Sequence, residues 1–243
     1  MHSKVRIIEY DCIGSTNAEA KKYAVEAYRR DPTLFLAREQ SAGRGRLGRS
    51  FVSRRDSGIY MSLLYFTDSA LSDAISVTTA AAVFTAKAIE AVTDEEMKIK
   101  WVNDIYNSRG KVAGILTETV LVGKDTAVVV GIGINTGNDD FPEELCGIAA
   151  SIGEIDEGQR NSIIRSITDS LLTHAQDPTS REYMAEYRGR LMLVGVEVDL
   201  MRAGEIVAHG RVEGVTDDGG LIFLGDGASE PEIIRTGEVS VRI

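Results

Sequence analysis

Two long apolar segments with three residues between them constrain this fold most strongly. KVAGILTETVLV (111–122) and TAVVVGIGIN (126–135) are rich in β-branched residues and are separated only by Gly-Lys-Asp. Such compositions favour strands, and so short a connection joins antiparallel rather than parallel neighbours. The pair therefore predicts an antiparallel hairpin within the main sheet.

Strand and helix patterns alternate through the rest of the first 190 residues. Strands are predicted at 5–10, 33–39 and 58–66, a strand that leads into a turn at 97–108, and helices at 15–31, 73–92, 159–175 and 179–190. Thr16 and Glu19 have the spacing of a capping box at the start of the first helix. The Ala-rich second helix is expected at the centre of the core, and the polar segment 136–147 is long enough to form a lid.

The last fifty residues have a different character. From about residue 192 the chain consists of short strand patterns separated by Ala-Gly, Asp-Asp-Gly-Gly and Asp-Gly turns. Closely spaced strands of this kind are typical of a small β-barrel. The expected fold class is therefore α+β, with a mixed β-sheet flanked by helices and a compact all-β domain after it.

Composition and charge exclude several classes of function. The formal net charge is −10, from 27 basic and 37 acidic residues, so no broad surface for a nucleic acid is expected. Cys12 and Cys146 are the only cysteines, which argues against a disulfide framework and for the reducing cytoplasm. His2, His174 and His209 have no zinc-ligand spacing around them. No apolar run approaches the roughly 20 residues that span a bilayer, and the N-terminus lacks the apolar core of a secretory signal.

The Gly-Ile-Gly-Ile-Asn stretch at 131–135 does not make a dinucleotide site. Thr136 stands where the third glycine of G-x-G-x-x-G belongs, and the motif ends a strand without opening a helix. A P-loop motif is also missing from the sequence. Gly131 and Gly133 are better explained by a close approach of the backbone to another group, or by a bend in the strand.

A basic, glycine-rich stretch, QSAGRGRLGRSF (40–51), stands out in this acidic chain. A solvated loop, a nucleic-acid contact and a site for a small anionic ligand all remain open from these residues alone. The nucleic-acid interpretation is weak because RNA-binding Arg-Gly tracts usually repeat, and this one occurs once. For an anionic ligand, glycines let backbone N–H groups come close to phosphate or carboxylate oxygens, and arginines pair with the same oxygens.

The order of the motifs resembles that of biotin protein ligases. STN (15–17), QSAGRGRLGRSF (40–51), KWVNDI (100–105), KVAGILTE (111–118) and GIGIN (131–135) follow that family's order and spacing, and the terminal GEVSVR (237–242) resembles the end of its small barrel domain. The resemblance covers essentially the whole chain. It implies a catalytic biotin- and ATP-binding domain over residues 1–191 and a small SH3-like β-barrel domain over 192–243.

The resemblance also implies an activity. In this family the carboxylate of biotin attacks the α-phosphate of MgATP, pyrophosphate leaves, and one lysine of a biotin carboxyl carrier protein attacks the biotinyl-5′-adenylate. The expected substrates are biotin and ATP with Mg²⁺, and the expected partner is the carrier domain of a biotin-dependent carboxylase. Only fourteen residues precede Ser15, so a form without the DNA-binding domain and without repressor activity is expected. No membrane partner is expected, and a homodimer is left open.

Roles for individual residues follow from the same resemblance. Lys111 is expected to bridge the biotin carboxylate and the α-phosphate, and Arg46 to act on the phosphate. Asp104 is expected to orient or deprotonate the carrier lysine, or else to hold Lys111 or a loop in place. The further residues expected to contact biotin are Ser15, Thr16, Asn17, Gln40, Gly43, Arg44, Phe51, Gly114 and Leu116. Those expected to contact ATP, besides Arg46, are Arg49, Lys100, Trp101, Asn103 and Asn135, and no side chain is expected to bind a metal.

Two departures and two rival functions accompany the resemblance. Val102 replaces a proline that is usual in the family, and Phe51 replaces a tryptophan.

One rival function is that of a lipoate- or octanoate-attaching enzyme of the same fold, but such enzymes lack the G-R-G-R-x-G-R loop. The octanoate-attaching enzymes also use a nucleophilic cysteine, and Cys146 lies outside the lysine-bearing strand. The other rival is a non-catalytic biotin sensor, which would have no use for phosphate-facing cations.

Overall fold

The structure is a computed structural model that describes residues 5–27, 30–67, 74–138, 141–202, 205–235 and 239–242. In chain order the strands are β1 (Arg6–Tyr10), β2 (Thr33–Ala37), β3 (Gly58–Thr67), β4 (Lys98–Lys100), β5 (Asp104–Tyr106), β6 (Lys111–Val122), β7 (Asp125–Asn135), β8 (Glu197–Arg202), β9 (Glu205–Val215), β10 (Leu221–Gly225), β11 (Glu232–Ile234) and β12 (Val239–Arg242). The α-helices are α1 (Thr16–Glu26), α2 (Ala74–Thr93), α3 (Glu157–Gln176) and α4 (Met184–Arg190). Some residues with sequence-based predictions lie outside the described ranges. They are His2, residues 28–29 and 73 of predicted helices, residues 139–140 of the predicted lid and residues 237–238 of the terminal motif.

Seven strands form the main sheet in the order β1-β2-β3-β7-β6-β5-β4. Strands β1 and β2 are parallel, and every other neighbouring pair is antiparallel. The predicted hairpin is confirmed, because β6 and β7 pair from Val122 opposite Asp125 to Ala113 opposite Ile134. The mixed sheet is a direct consequence of this hairpin and of the helical crossover from β1 to β2.

The prediction of one strand leading into a turn over 97–108 missed a second strand. The segment folds back on itself as β4 and β5, and the chain turns at residues 101–103. Asn103 anchors this turn on β6, since its carbonyl accepts from the N–H of Ile115 and its side-chain amide donates to the carbonyl of Ile115. Alternating burial of Ile99 and Ile105 on the two short strands produced the pattern of one long strand. The peptide bond between Trp101 and Val102 is cis.

Helices cover both faces of the main sheet. Helices α2 and α3 pack on one face, where the core includes Ile59, Met61 and Leu63 of β3. Helix α1 packs on the other face through Ala20 and Ala24. Since side chains alternate along a strand, each central strand supplies apolar residues to both layers.

The Ala-rich helix α2 lies at the centre of the core, as predicted. By length and composition it is apolar enough to cross a membrane, contrary to the expectation that no apolar run approaches that length. Inside this fold 72% of its most apolar window is buried. That burial is what a core helix packed between a sheet and other helices shows.

Two predictions about helix ends need correction. Ser15, not Thr16, is the N-cap of α1, and its side chain accepts from the backbone N–H of Ala18. The predicted capping box of Thr16 and Glu19 is therefore wrong, because the hydroxyl of Thr16 points across to another segment. The helix predicted at 179–190 begins only at Met184, since residues 177–183 form turns.

A second sheet follows, with five antiparallel strands in the order β11-β10-β9-β8-β12. It stands where the small barrel domain is predicted, so the α+β class with a separate small β unit is confirmed. The indole N–H of Trp101 donates to the carbonyl of Gly219, in the turn between β9 and β10, at 2.8 Å. Leu200 and Phe223 also belong to the same hydrophobic cluster as the main sheet. A domain boundary between residues 191 and 192 stays a prediction.

Candidate active site

One face of the main sheet, beside α1, carries two rows of residues that form the floor of the site. In the first row Tyr60, Gly133, Gly114 and Asp104 stand opposite one another on β3, β7, β6 and β5. In the second row Ser62, Gly131 and Leu116 stand opposite one another on β3, β7 and β6. The three glycines in these rows have no side chains, so other segments can come close to the sheet here.

Two other segments rest directly on these glycines. A Cβ atom on Gly133 would lie 2.5 Å from the ring of Phe51, and one on Gly131 would lie 2.0 Å from Oδ1 of Asn17. Contacts that short are impossible, so only glycine lets the loop and α1 come this close to β7. The close approach predicted for Gly131 and Gly133 is confirmed.

The N-terminus of α1 forms a buried polar wall beside this floor. Ser15, Thr16 and Asn17 are all buried. Oε1 of Gln40 accepts from the backbone N–H of Thr16 at 2.8 Å and lies 3.1 Å from the hydroxyl of Thr16. The side-chain N–H of Gln40 donates to Ser53, whose hydroxyl donates to the carbonyl of Phe51. Five predicted biotin-binding residues, from the N-terminus of α1 and from the 40–51 segment, therefore lie together.

Two residues of this wall escaped the sequence analysis. Ser62, fully buried in β3, lies 2.8 Å from the hydroxyl of Thr16 and donates to Oδ1 of Asn17 at 2.6 Å. Glu118 accepts from Nδ2 of Asn17 at 2.9 Å and pairs with Lys21 at 2.5 Å. Two features of the sequence could have identified them: a single serine inside the apolar strand 58–66, and an acidic residue two positions after Leu116.

The basic loop is a narrow hairpin with a turn at its tip. The N–H of Phe51 donates to the carbonyl of Gly43, and the N–H of Gly45 donates to the carbonyl of Arg49. At the tip Leu47 has φ +57°, a backbone conformation that residues other than glycine seldom adopt.

Only one of the three loop arginines turns into the site. Arg44 and Arg49 are exposed, whereas Arg46 is half-buried and donates to Oδ1 of Asn103 at 3.1 Å. Burial lowers the pKa of the Arg46 guanidinium, while the nearby charge of Asp104 opposes that shift. An arginine retains its charge under such a shift, so Arg46 supplies a partly desolvated cation.

Lys111 and Asp104 form an ion pair over the glycine floor. Nζ of Lys111 lies 2.7 Å from Oδ1 of Asp104, and both side chains are about one-quarter exposed, at 27% and 24%. The backbone of Lys111 is held by the segment after the predicted lid, because its N–H donates to Ile148 and its carbonyl accepts from Ala150. Lys111, Asp104, Arg46 and Asn103 therefore form one polar cluster at the end of the floor.

Three residues predicted to contact ATP have other partners in the structure. The buried side-chain amide of Asn135 donates to the backbone carbonyl of Ala150 at 3.0 Å. Its nitrogen also lies 3.4 Å from the backbone carbonyl oxygen of Lys111. Trp101 is buried, and its only side-chain N–H is bonded to the carbonyl of Gly219. Lys100 stands opposite Asp104 in the register of β4 and β5. The ATP contacts of these residues stay predictions, and Asn135 already supports the backbone that carries Lys111.

The described residues offer no metal centre of their own. Within them, no three His, Cys, Asp or Glu side chains are grouped so as to hold a metal ion. Oxygen-rich clusters are what Mg²⁺ requires when a protein alone binds it.

Comparison with known proteins decides the family. A sequence model described as the biotin/lipoate A/B protein ligase family matches residues 10–135. The chain belongs to this family. The match spans every motif of the site, from STN to GIGIN.

Individual relatives show which branch of the biotin/lipoate ligase family this chain resembles. The bifunctional ligase/repressor of Bacillus spizizenii is 34% identical over 89% of this chain and 69% of its own length. The biotin–[acetyl-CoA-carboxylase] ligase of Paracoccus denitrificans is 32% identical over 87% of this chain and 91% of its own length. The biotin protein ligase of Aquifex aeolicus, solved in complex with biotin and ATP, superposes with a TM-score of 0.80, at 26% identity and 98% coverage of both chains. The resemblance to biotin protein ligases is confirmed.

Proposed function

We propose that this chain is an ATP-dependent biotin–[biotin carboxyl carrier protein] ligase that acts through a biotinyl-5′-adenylate. The observation that carries the proposal is the cluster of Lys111, Asp104 and Arg46 at the end of the glycine floor, beside the buried polar wall at the N-terminus of α1. The polar wall suits a neutral polar ring, and the cluster suits two anions that must react with each other. Neither part alone would specify an acid-activating ligase.

In the first step the carboxylate oxygen of biotin attacks the α-phosphorus of ATP. A C–O–P link forms, the bond from the α-phosphorus to the bridging oxygen breaks, and pyrophosphate leaves with that bonding pair. Lys111 and Arg46 lower the repulsion between the two anions and stabilise the charge that develops on the phosphorus centre. Magnesium bound to ATP supplies further charge neutralisation there.

In the second step the carrier lysine, as the free amine, attacks the carbonyl carbon of the mixed anhydride. A C–N bond forms, the C–O bond to the phosphate breaks, and AMP leaves. Asp104 orients the incoming lysine and accepts its proton. Before that step Asp104 holds Lys111 through the observed ion pair, so both roles considered for Asp104 fall to one carboxylate in sequence.

The substrate assignments rest on relatives. The Paracoccus denitrificans protein is named for the acetyl-CoA carboxylase that it modifies, and the Aquifex aeolicus structure contains biotin and ATP. We carry these ligands and this class of partner over to the present chain, and we place it in the cytoplasm without repressor activity. The possible homodimer remains a prediction.

Pyrophosphate release tests the proposal. With MgATP, the wild type is expected to release pyrophosphate when biotin is present, but not with lipoate or octanoate. Lys111→Ala should lose at least about 100-fold in this rate, because one preorganised cation contributes about 3 kcal/mol to a charged transition state. Lys124→Ala, at the exposed turn between β6 and β7, is the matched control and should behave like the wild type.

Two outcomes would contradict the proposal. Turnover with lipoate in place of biotin would assign the chain to the sister branch of its family. Tight biotin binding without turnover of any acid would make it a sensor.

A further inference from the structure

A chain of hydrogen bonds, buried at Ser62 and partly buried at Glu118, lies beside the proposed biotin pocket and has no role in the two steps above. It runs from Glu118 through Asn17 and Ser62 to Thr16, and we call these four residues the Glu118 relay. Thr16, Asn17 and Ser62 are 4%, 4% and 0% exposed. Polar groups buried this deeply take fixed orientations, because each unmade hydrogen bond costs free energy.

Glu118 determines how the amide of Asn17 is oriented. Nδ2 of Asn17 faces two acceptors, the carbonyl of Leu116 at 3.1 Å and the carboxylate of Glu118 at 2.9 Å. In the flipped amide, Oδ1 would face the same two acceptors, and one of them is charged. Oδ1 therefore points at Ser62. The second oxygen of Glu118 is held by Lys21, which leaves the first for Asn17.

The orientation of this amide fixes the hydroxyl hydrogens that follow. Ser62 has one hydroxyl hydrogen, and Oδ1 of Asn17, 2.6 Å away, can only accept it. Ser62 then has no second hydrogen for Thr16, 2.8 Å away, and the single hydrogen of the Thr16 hydroxyl lies between Ser62 and Oε1 of Gln40, which is 3.1 Å away. The lone pairs of the Thr16 oxygen consequently remain open to a donor, next to Oε1 of Gln40.

We propose that Glu118 is a positioning residue that makes this end of the pocket accept hydrogen bonds, and thereby selects a ligand whose ring carries N–H donors. The inference rests on the proposed function and deepens it. The cyclic urea of biotin has two N–H groups that match such acceptors, whereas a dithiolane ring or an alkyl chain has none. Discrimination against a ligand that leaves buried polar groups unpaired is strong, because those groups have already lost their water.

Isosteric amide and acid exchanges test the relay. In Glu118→Gln, Lys21 attracts the new amide oxygen, so the new N–H₂ group faces Asn17 and favours the flipped orientation, against the remaining preference of the Leu116 carbonyl for a donor. Ser62 then donates to Thr16 and fills a lone pair meant for the ligand. The KM for biotin in pyrophosphate release should rise about tenfold while kcat stays within about twofold, the size expected for one lost hydrogen bond. Glu213→Gln, at an exposed pair 2.8 Å from Arg211, is the matched control and should leave KM unchanged.

A second background makes the test independent of general damage. Asn17→Asp alone sets a carboxylate against the carboxylate of Glu118 and should raise KM strongly. Adding Glu118→Gln to Asn17→Asp restores a donor opposite an acceptor, so it should lower KM there, although it raises KM in the wild type. Such a reversal of sign indicates direct coupling between neighbours.

The outcomes separate this inference from the proposed function. An unchanged KM in Glu118→Gln, or the same increase in both backgrounds, overturns the role of Glu118 while leaving the ligase assignment intact. If the wild type releases no pyrophosphate with biotin, the proposed function fails. In that case, calorimetric titration with biotin of the wild type, the two single variants at Glu118 and Asn17 and the double variant still tests the role of Glu118. The pattern expected for KM is then expected for Kd.

Discussion

At the scale of single residues, the glycines on β6 and β7 decide what this surface can hold. Gly133 lies under the ring of Phe51, and Gly131 lies under the amide of Asn17. Each removes one Cβ at a place where a side chain from a different segment needs the space. A strand of larger residues would still pair in the sheet, but it would push the loop and α1 away.

Gly133→Ala should therefore weaken biotin use more than it weakens the fold. The new methyl group would lie 2.5 Å from the Phe51 ring, so the ring must move away from the pocket floor. We expect the KM for biotin to rise at least about tenfold, with a loss of about 1–3 kcal/mol in the free energy of unfolding. Steady-state kinetics and urea titration measure the two effects.

Gly189→Ala is the matched control for this substitution. Gly189 lies in α4 with open space around its Cα, and alanine is favoured over glycine by up to about 1 kcal/mol inside a helix. Its biotin kinetics should equal those of the wild type. A wild-type KM in Gly133→Ala would mean that the position of Phe51 does not matter for biotin.

At the scale of secondary-structure elements, α3 contains a buried histidine that the site does not use. His174, near the end of α3, is 7% exposed and packs edge-on against Phe84 and Tyr183. Burial lowers the pKa of His174 below its ordinary value of 6.5, and the charge of Arg181 lowers it further, against a smaller opposing effect of Asp177. The ring is therefore neutral in the folded protein at neutral pH.

This histidine should make the protein less stable as the pH falls below 6.5. Between 6.5 and the lower pKa of the folded state, the unfolded chain binds a proton that the folded chain does not, so acid favours unfolding. In His174→Phe, which keeps a ring but cannot titrate, the free energy of unfolding should fall less steeply from pH 7 to 5. The difference in slope should reach at most about 1.4 kcal/mol per pH unit. Urea titrations at several pH values measure it, and equal slopes in both proteins would refute the assignment.

At the scale of the whole molecule, the two sheets are joined at a turn of the C-terminal one. Trp101 donates to the carbonyl of Gly219, and Tyr187 of α4 donates to the carbonyl of Val102. Gly219 has φ +84°, and a Cβ there would lie 2.6 Å from Ile75 of α2. This contact ties the KWVNDI segment, and with it Asp104, to the C-terminal sheet.

Trp101→Phe should destabilise the molecule as one unit. It leaves the buried carbonyl of Gly219 without its donor, which costs about 1–3 kcal/mol in the free energy of unfolding. Because both sheets share one hydrophobic cluster, the loss should appear in a single transition monitored by circular dichroism. Two separate transitions, or a change below about 0.3 kcal/mol, would show that the sheets are energetically independent.

The sequence was enough for the fold class, the β6–β7 hairpin, the core position of α2 and the family. These features follow from local propensity, from side-chain periodicity and from motifs of adjacent residues. It was also enough to name Lys111, Asp104, Arg46 and the STN segment, because each lies inside such a motif. The roles given to them remain to be measured.

Tertiary structure decided which polar atoms face one another. Asn17 and Glu118 meet across 101 positions of sequence, and Trp101 and Gly219 across 118. Thr16 points across the pocket to Ser62 and Gln40, and so Ser15 caps α1 instead. A periodic pattern specifies the face on which a residue lies, but hydrogen bonds depend on distances of a few tenths of an ångström between segments far apart in the chain. Only the packed sheet and helices set those distances.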